Sequence, residues 1–529
     1  MPTPRSHGGA ATIRIPLNVP GFKGLNTQQA SGTLGPEWCT KLENAVIDDN
    51  GRVAARKGWA PLTVGTSAAR YVHVNEIVKS DGTTTLMTID ATLGNYYYST
   101  AGGASWAGTT TALTAMPEPH ESSIISFNNK GYIFTKKSTG VCAIEWNPDS
   151  PGADTSITAT NVPRSGNVVA AFGRLWGVAS DGHTLRYSAL LDGKDWDGTG
   201  AGLVDMWNVW PGNDQITAIA SFNGALVVFG RRCIVMWTDG AGSAIGIDPL
   251  TMYVVDVVQG TGCISRHSIQ HVDGDLWFLS EFGLQSLGRV IQEKSNPINN
   301  LSKNIQDYLG TVVAAANMSY LRSAYSPRDK VYLLSLPSGG SAETGRCFVF
   351  DTRGKLEDGS VRSLGTWTLV PAAPCVRRNG TLLFARNSNE LFGTYSGQLD
   401  NQSPFVLDYE SGWLDLTQEG YLVIPKRVGG VFFSDNSITL TFKWGVDFAQ
   451  VFTTRTKVFT SPAQSGSGEW GSGEWNSSEF GGGVNLSDGH VQGSGSGEFI
   501  KLGLTCQINN TVLAIQQLEL FAKIGRYAS

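Results

Sequence analysis

The chain has 529 residues, a net charge of −5, 64 glycines and only 16% charged residues. That length exceeds what one hydrophobic core usually serves, so it calls for several domains or a repeat array. Affinity for a duplex rests on neutralising phosphates, so the acidic balance, without any run of five or six Lys or Arg, argues against tight DNA binding. It leaves room for a surface past which DNA merely slides.

The first stretch, MPTPRSHGGAATIRIPLNVPGFKG, lacks the apolar core of a secretory signal, and no run of about 18 apolar residues follows anywhere, so the chain is expected to stay soluble. Residues 1–62 read as an extended N-terminal arm, with Pro2, Pro4, Pro16 and Pro20 limiting helix until Pro36. From there PEWCTKLENAVIDD predicts a short helix opened by proline in its first turn. Asn50-Gly51 then marks a hairpin-type turn, and Arg56-Lys57-Gly58-Trp59 leads into a strand.

Between residues 63 and 402 one phrase recurs seven times: an apolar run, a tight turn, a second run, a second turn, a third run. The clearest copy is Ile216–Trp237, where Asn223-Gly224 splits two runs and Gly230-Arg231 introduces the next. The first turns fall at Asp81-Gly82, Asn129-Lys130-Gly131, Phe172-Gly173, Asn223-Gly224, Asp273-Gly274, Pro327-Arg328-Asp329 and Asn379-Gly380. A period near fifty with β alternation is the mark of propeller blades. The expected fold class is all-β, a propeller of about seven blades within a range of six to eight. Fourth strands are expected from irregular connections such as Ala201–Trp210 and Gly240–Val258, and Arg52–Ala55 is a candidate for closing the ring.

From about Phe405 strong alternation returns at shorter intervals, which predicts a C-terminal β-sandwich at 403–529. A Gly/Ser-rich insert, Ser461–Gly497, repeats a carboxylate and an aromatic at Glu469-Trp470, Glu474-Trp475 and Glu479-Phe480. Such a segment cannot bury a core and reads as a long hairpin loop, with Trp470, Trp475 and Phe480 as partner or intersubunit contacts.

Cys263, His267 and His271 are spaced by four, but on a strand that step is about 13 Å, too long for a shared zinc. Asp195/Asp197 and Asp273/Asp275 read as turn carboxylates that bond their own backbone. Ser99–Trp106 resembles the Asp-box of sialidase-type propellers, with Ala101 in place of the carboxylate. No GxSxG, P-loop or HExxH occurs, and the seven scattered cysteines never form CxxC, so they read as reduced, mostly buried thiols. The expectation is a non-enzyme with no catalytic residues, cofactor or metal, in which Trp146, Trp176, Trp237 and Trp277 are core.

Specific wording adds to this. Gly24-Leu25-Asn26-Thr27, Leu42-Glu43-Asn44-Ala45-Val46, Asn50-Gly51-Arg52 and Arg56-Lys57-Gly58-Trp59 resemble the start of tail-nozzle proteins of short-tailed bacteriophages, also called tail tubular protein B or packaged-DNA stabilisation proteins. Tyr187-Ser188-Ala189 with Asp195-Trp196, Leu226–Arg232, Gly262–Ser265 with Ser268, and Phe278-Leu279-Ser280 with Gly283-Leu284 are similar to their propeller portion. The resemblance spans roughly residues 24–395, and Gly412–Leu416 ahead of Lys426-Arg427 also fits it. It implies a homohexameric tube in the virion tail, assembled in the host cytoplasm below the portal and adaptor rings. That tube would meet fibre or spike and distal tail proteins, and retain and then pass double-stranded DNA without reading its sequence. Two other readings stay beside it: a tail protein that binds host-surface glycans through Trp470, Trp475 and Phe480, and a propeller glycosidase.

Overall fold

A computed structural model describes residues 10–64, 71–90, 94–108, 113, 116–151, 154–210, 214–238, 248–294, 300–338, 341–385, 391–415, 421–460 and 486–526. They divide into two compact units: residues 61–361 with 368–395, and residues 1–60 with 362–367 and 396–529. Among the described residues, no helix is long and apolar enough to cross a membrane.

The larger unit is a β-propeller built from the recurring phrase. Blade one runs Tyr71–Val78, Thr84–Asp90, Tyr96–Ser99, Ala107–Gly108, and blade two Ser123–Phe127, Lys130–Phe134, Ala143–Trp146, Asp154–Ser156. Blade three has Val168–Ala171, Arg174–Val178, Thr184–Tyr187 and Gly202–Asp205, and blade four has Ala218–Phe222, Ala225–Phe229, Cys233–Thr238 and Tyr253–Gln259. Blade five keeps three strands, Gln270–Val272, Asp275–Ser280 and Gly283–Ser286, and helix Leu287–Glu293 packs on the middle one. Blade six supplies Arg322–Ser326, Val331–Ser338 and Ser341–Lys355. Blade seven, Cys375–Val376, Leu382–Ala385 and Leu391–Tyr395, is completed by the early strand Trp59–Val64.

All seven first turns lie between the first two strands of a blade. Asn223 (φ +46°) with Gly224 (φ +72°), and Asp273 (φ +47°) with Gly274 (φ +81°), occupy the left-handed region at both central positions. Two-residue hairpins with the twist of the flanking strands require that conformation, and Asn, Asp and Gly tolerate it best. The irregular connections do supply fourth strands, at Gly202–Asp205 and Tyr253–Gln259.

Successive blades meet along their first strands, which therefore line the axis. One device joins them repeatedly: an amide side chain reaches a carbonyl of the next blade. Asn75 Nδ2 donates to Ile124 O (2.8 Å), Asn167 Nδ2 to Thr217 O (3.2 Å) and Gln270 Nε2 to Ser323 O (3.1 Å). The ring shuts where the Arg378 amide donates to Glu76 (2.6 Å) and Cys375, Leu383 and Ala385 pack with Tyr71, Val74 and Leu86. Between blades lie the tryptophans expected as core: Trp146, Trp176, Trp237 and Trp277 are all buried, as are the seven free cysteines.

The smaller unit is a β-sandwich, and here the N-terminal segment departs from expectation. Residues 10–60 are not a separate arm but part of this unit, and Trp38–Glu43 is a strand, not a helix. One sheet orders Leu486–Gln492, Tyr421–Ser434, Leu513–Arg526, Val53–Ala55 and Ala45–Ile47, with Ala10–Pro16 also on Leu513–Arg526. The other sets Trp38–Glu43 beside Phe405–Ser411, then Phe499–Ile508, Ile438–Val446 and Thr453–Phe459. Phe432 of the first sheet meets Phe459 of the second at 4.6 Å, edge to face. Val53–Ala55 is thus committed to the sandwich, and Trp59–Val64 takes the closing role expected of Arg52–Ala55. The final part of the expected loop is ordered as well, since Leu486–Gln492 pairs with Tyr421–Ser434.

Candidate functional site

The sequence-derived candidates separate once placed on this frame. Asp195 accepts from the amides of Asp197 (3.2 Å) and Gly198 (2.7 Å), while Asp197 caps the amides of Thr160 (2.6 Å) and Asn161 (2.9 Å). Asp273 occupies a hairpin turn and accepts from Tyr325, and Asp275 ties Leu276 to Gly288 and Ser286. Asp195 and Asp273 belong to turns as expected, whereas Asp197 ties a distant segment and Asp275, on a strand, ties the start of the following helix. Ser99 opens the turn before Ala107–Gly108, its hydroxyl accepting from Gly103 N (2.9 Å), so the Asp-box-like string does form a hairpin.

The Cys263, His267, His271 series also disperses. Cys263 bonds to Ser265 O (3.1 Å) and Ser268 (3.6 Å), and burial pushes its thiol up to about 11. His271 sits on the exposed side of Gln270–Val272, and His267 turns inward. Among the described residues, no group of three His, Cys, Asp or Glu is arranged to hold a metal. Trp470, Trp475 and Phe480 lie outside the described residues.

What the structure gathers instead is a cationic cluster at one end of the inner strands. Arg322, 4% exposed, starts the inner strand of blade six. Its guanidinium donates to the carbonyls of Val72 (2.9 Å), Ser319 (3.0 Å), Leu321 (2.6 Å) and His120 (3.3 Å), and lies 3.4 Å from His73 Nε2. Arg266, in the 3-10 turn before the inner strand of blade five, donates to His267 Nε2 (3.3 Å) and Ser122 O (2.8 Å). The rings of His73 and His267 stand 5.2 Å apart.

The electrostatics follow from that crowding. Burial, then the charges of Arg322 and Arg266, drive both histidines well below their ordinary range, so they are neutral at pH 7. Neutrality is what allows His267 Nε2 to accept from Arg266. Burial also lowers the guanidinium of Arg266 to about 10 and, with Arg266 beside it, that of Arg322 to about 9. Neither arginine has a carboxylate within salt-bridge distance among the described residues.

Beside this cluster is a cavity of about 410 Å³, lined by Glu121, Lys136, Arg164, Asn167, Thr217, Ser265, Arg266, His267 and Ser319, among others. Gly166 forms part of its wall, and a Cβ there would meet Glu121 O at 1.8 Å, so blades two and three approach too closely for any side chain. Lys136 pairs with Glu118 (3.0 Å), and Arg164 donates to the carbonyls of Lys137 (3.1 Å) and Gly140 (3.0 Å). With Lys136 offset by Glu118, Arg164 and Arg266 stand against Glu121, and the lining keeps a modest positive excess that favours anions. It has no nucleophile and base within bonding distance of each other. Sequence reasoning missed these residues, although most fall a few positions ahead of a blade's first turn, so stacking the repeats on those turns would have aligned them.

The fold and this site define a β-propeller protein joined to a β-sandwich. No protein-family model matches the chain, and no curated protein matches it. Among solved structures, the Pan2 WD40 domain of Neurospora crassa is 11% identical over 65% of this chain and 98% of that one, with a TM-score of 0.32. The extracellular domain of a hybrid two-component system from B. thetaiotaomicron is 10% identical over 85% of this chain and 61% of that one, at a TM-score of 0.39. TmCBM61 in complex with β-1,4-galactotriose is 9% identical over 28% of this chain and 70% of that one, at 0.13. The propeller assignment therefore stands on the strand pairings themselves.

Proposed function

We propose that this chain is a structural subunit of a virion tail nozzle, a closed ring of identical copies that retains packaged DNA and later conducts it. The resemblance to nozzle proteins motivates the reading, and the residues that carry it build the frame. Gly24-Leu25 pairs with Trp38-Cys39, Asn44 and Arg56 hydrogen-bond to each other, and Phe278–Ser280 with Gly283-Leu284 make a blade hairpin.

The observation that carries the assembly is a pair of unlike exposed apolar patches, one on each unit. On the outer strand of blade four and the turn before it, Leu250 is 83% exposed beside Tyr253, Val254 and Val255. On the sandwich, Val451 is 84% exposed in the turn that also carries the exposed Phe448. A head-to-tail ring repeats one contact between two different surfaces, and exposed apolar clusters mark such contacts. In this reading the net charge of −5 keeps the lumen from trapping phosphate backbones. Adaptor and portal rings, fibres or spikes and distal tail proteins are then the partners.

Mass photometry and negative-stain microscopy of the purified chain, alone and with the adaptor ring, test this. A closed ring of about six copies is expected, with Leu250→Asp or Val451→Asp reducing it to monomers. Monomers alone, even with the adaptor present, overturn it.

A further inference from the structure

We infer that the cavity at the head of the inner strands binds a small tetrahedral oxyanion of the phosphate type, with Arg266 as its principal ligand and Arg164 and Lys136 at its rim. A buried cation is costly unless a counter-charge or a full set of acceptors replaces its water. Arg322 has the acceptors: four carbonyls take its protons. Arg266, partly exposed to the cavity, has only part of a set.

Its Nε donates to His267 and its Nη2 to Ser122 O, leaving Nη1 with no protein acceptor among the described residues. Arg266 also lines the cavity, so that nitrogen has an outlet. Around it stand Arg322, a like charge, and Glu121, the one carboxylate that opposes both, without a direct ion pair to either. An anion in the cavity supplies what the protein withholds: acceptor oxygens for the free guanidinium edge and a charge opposing both arginines.

The occupant's class follows from the lining. A metal ion is disfavoured, because Glu121 is the sole carboxylate there. A DNA duplex, about 20 Å across, cannot enter about 410 Å³, whereas one tetrahedral oxyanion with water can. Hydroxyls of Thr217, Ser265 and Ser319 and the amide of Asn167 line the same space and suit oxygen atoms that accept from several directions. Free phosphate and the phosphoryl group of a mononucleotide share this chemistry.

Calorimetric titration of the full chain in phosphate-free buffer at constant ionic strength tests it, with inorganic phosphate, AMP and sodium chloride as separate arms. One saturable phosphate site per chain is expected, weakened at least tenfold in Arg266→Met and less in Arg266→Lys. AMP competing for that site identifies a phosphoryl ester as an occupant, and phosphate binding alone identifies the free ion. In chloride, Arg266→Met unfolds little earlier than the wild type, because the two lost hydrogen bonds are offset by removal of a cation that has no direct ion pair. No saturable heat with phosphate on the wild type, or full binding retained by a folded Arg266→Met, overturns the proposal. Should Arg266→Met not fold, the wild-type titration and Arg266→Lys decide.

Discussion

Two buried arginines in this molecule are held in opposite ways. Arg56, fully buried in the sandwich unit, meets the Asp400 carboxylate with both terminal nitrogens (2.8 and 2.6 Å). Its Nε donates to Asn44 Oδ1 (2.9 Å), and its plane lies over Phe405 at 4.1 Å. Arg322 in the propeller is as deep but bonds to carbonyls, lies against an imidazole and a second arginine, and has Glu121 as an opposing charge without a direct ion pair. The first arrangement closes on itself, as a fork-to-fork pair does when structure is its purpose. The second leaves positive charge uncompensated next to a cavity, and buried charge unmatched by the protein's own groups is characteristic of sites that await a ligand.

Breaking the closed pair should produce the larger effect. Arg56→Met strands the Asp400 carboxylate and the Asn44 carbonyl together, and removing one partner of a buried pair costs about 3 kcal/mol or more. Asp400 keeps some solvent contact, which places the expectation at the low end. Urea unfolding followed by hydrogen exchange in Phe405–Ser411 reads it, and Asp400→Asn on the Arg56→Met background should recover part of the loss. Arg322→Met should cost about 1–2 kcal/mol, because the lost bonds to carbonyls are offset by removal of a buried cation that repels Arg266. Equal losses from the two substitutions would show that charge compensation does not distinguish the sites.

The same contrast explains what could be read from the sequence. The seven turns are local: Asn223-Gly224 and Asp273-Gly274 carry their own conformational instruction, so blade number followed from spacing. Pro36 in a first turn predicts helix across Trp38–Glu43, yet the segment is a strand with Cys39 and Leu42 buried. A register shift between Cys39 and Lys41 against Phe405–Ser411 puts both inside, and nothing near residue 40 announces a partner strand so distant. Ring closure was displaced for a related reason. Val53–Ala55 is taken by the sandwich, and Gly58 packs so closely on Leu399 that a Cβ would meet its carbonyl oxygen at 2.0 Å. The axial cluster was the least legible, because His73, His120, Arg266 and Arg322 are ordinary residues locally and acquire meaning only when the ring brings four blades together.

Acid separates the two regions more gently. His73 and His267 have folded-state values depressed by burial and by Arg322 and Arg266, with His120 also nearby and Glu121 opposing the two arginines. Their unfolded counterparts take a proton near pH 6.5, so below that the unfolded chain binds more protons. Stability present above about pH 6.5 is therefore lost as the pH falls, at no more than about 1.4 kcal/mol per histidine per pH unit. In the sandwich, burial raises Asp408 and Glu410, but Lys41 and Lys443 on the one and Lys443 and Lys501 on the other outweigh it and hold both low. Their contribution is complete above the unfolded carboxylate range, near pH 4, and fades only below it. Protection factors across Arg322–Ser326 should thus fall between pH 6.5 and 5 while those across Ile438–Val446 hold, and His73→Gln should flatten the first change without moving the second. Parallel loss in both regions would mean that water and protons reach the axial histidines freely, which would remove the desolvation on which the contrast between the two arginines depends.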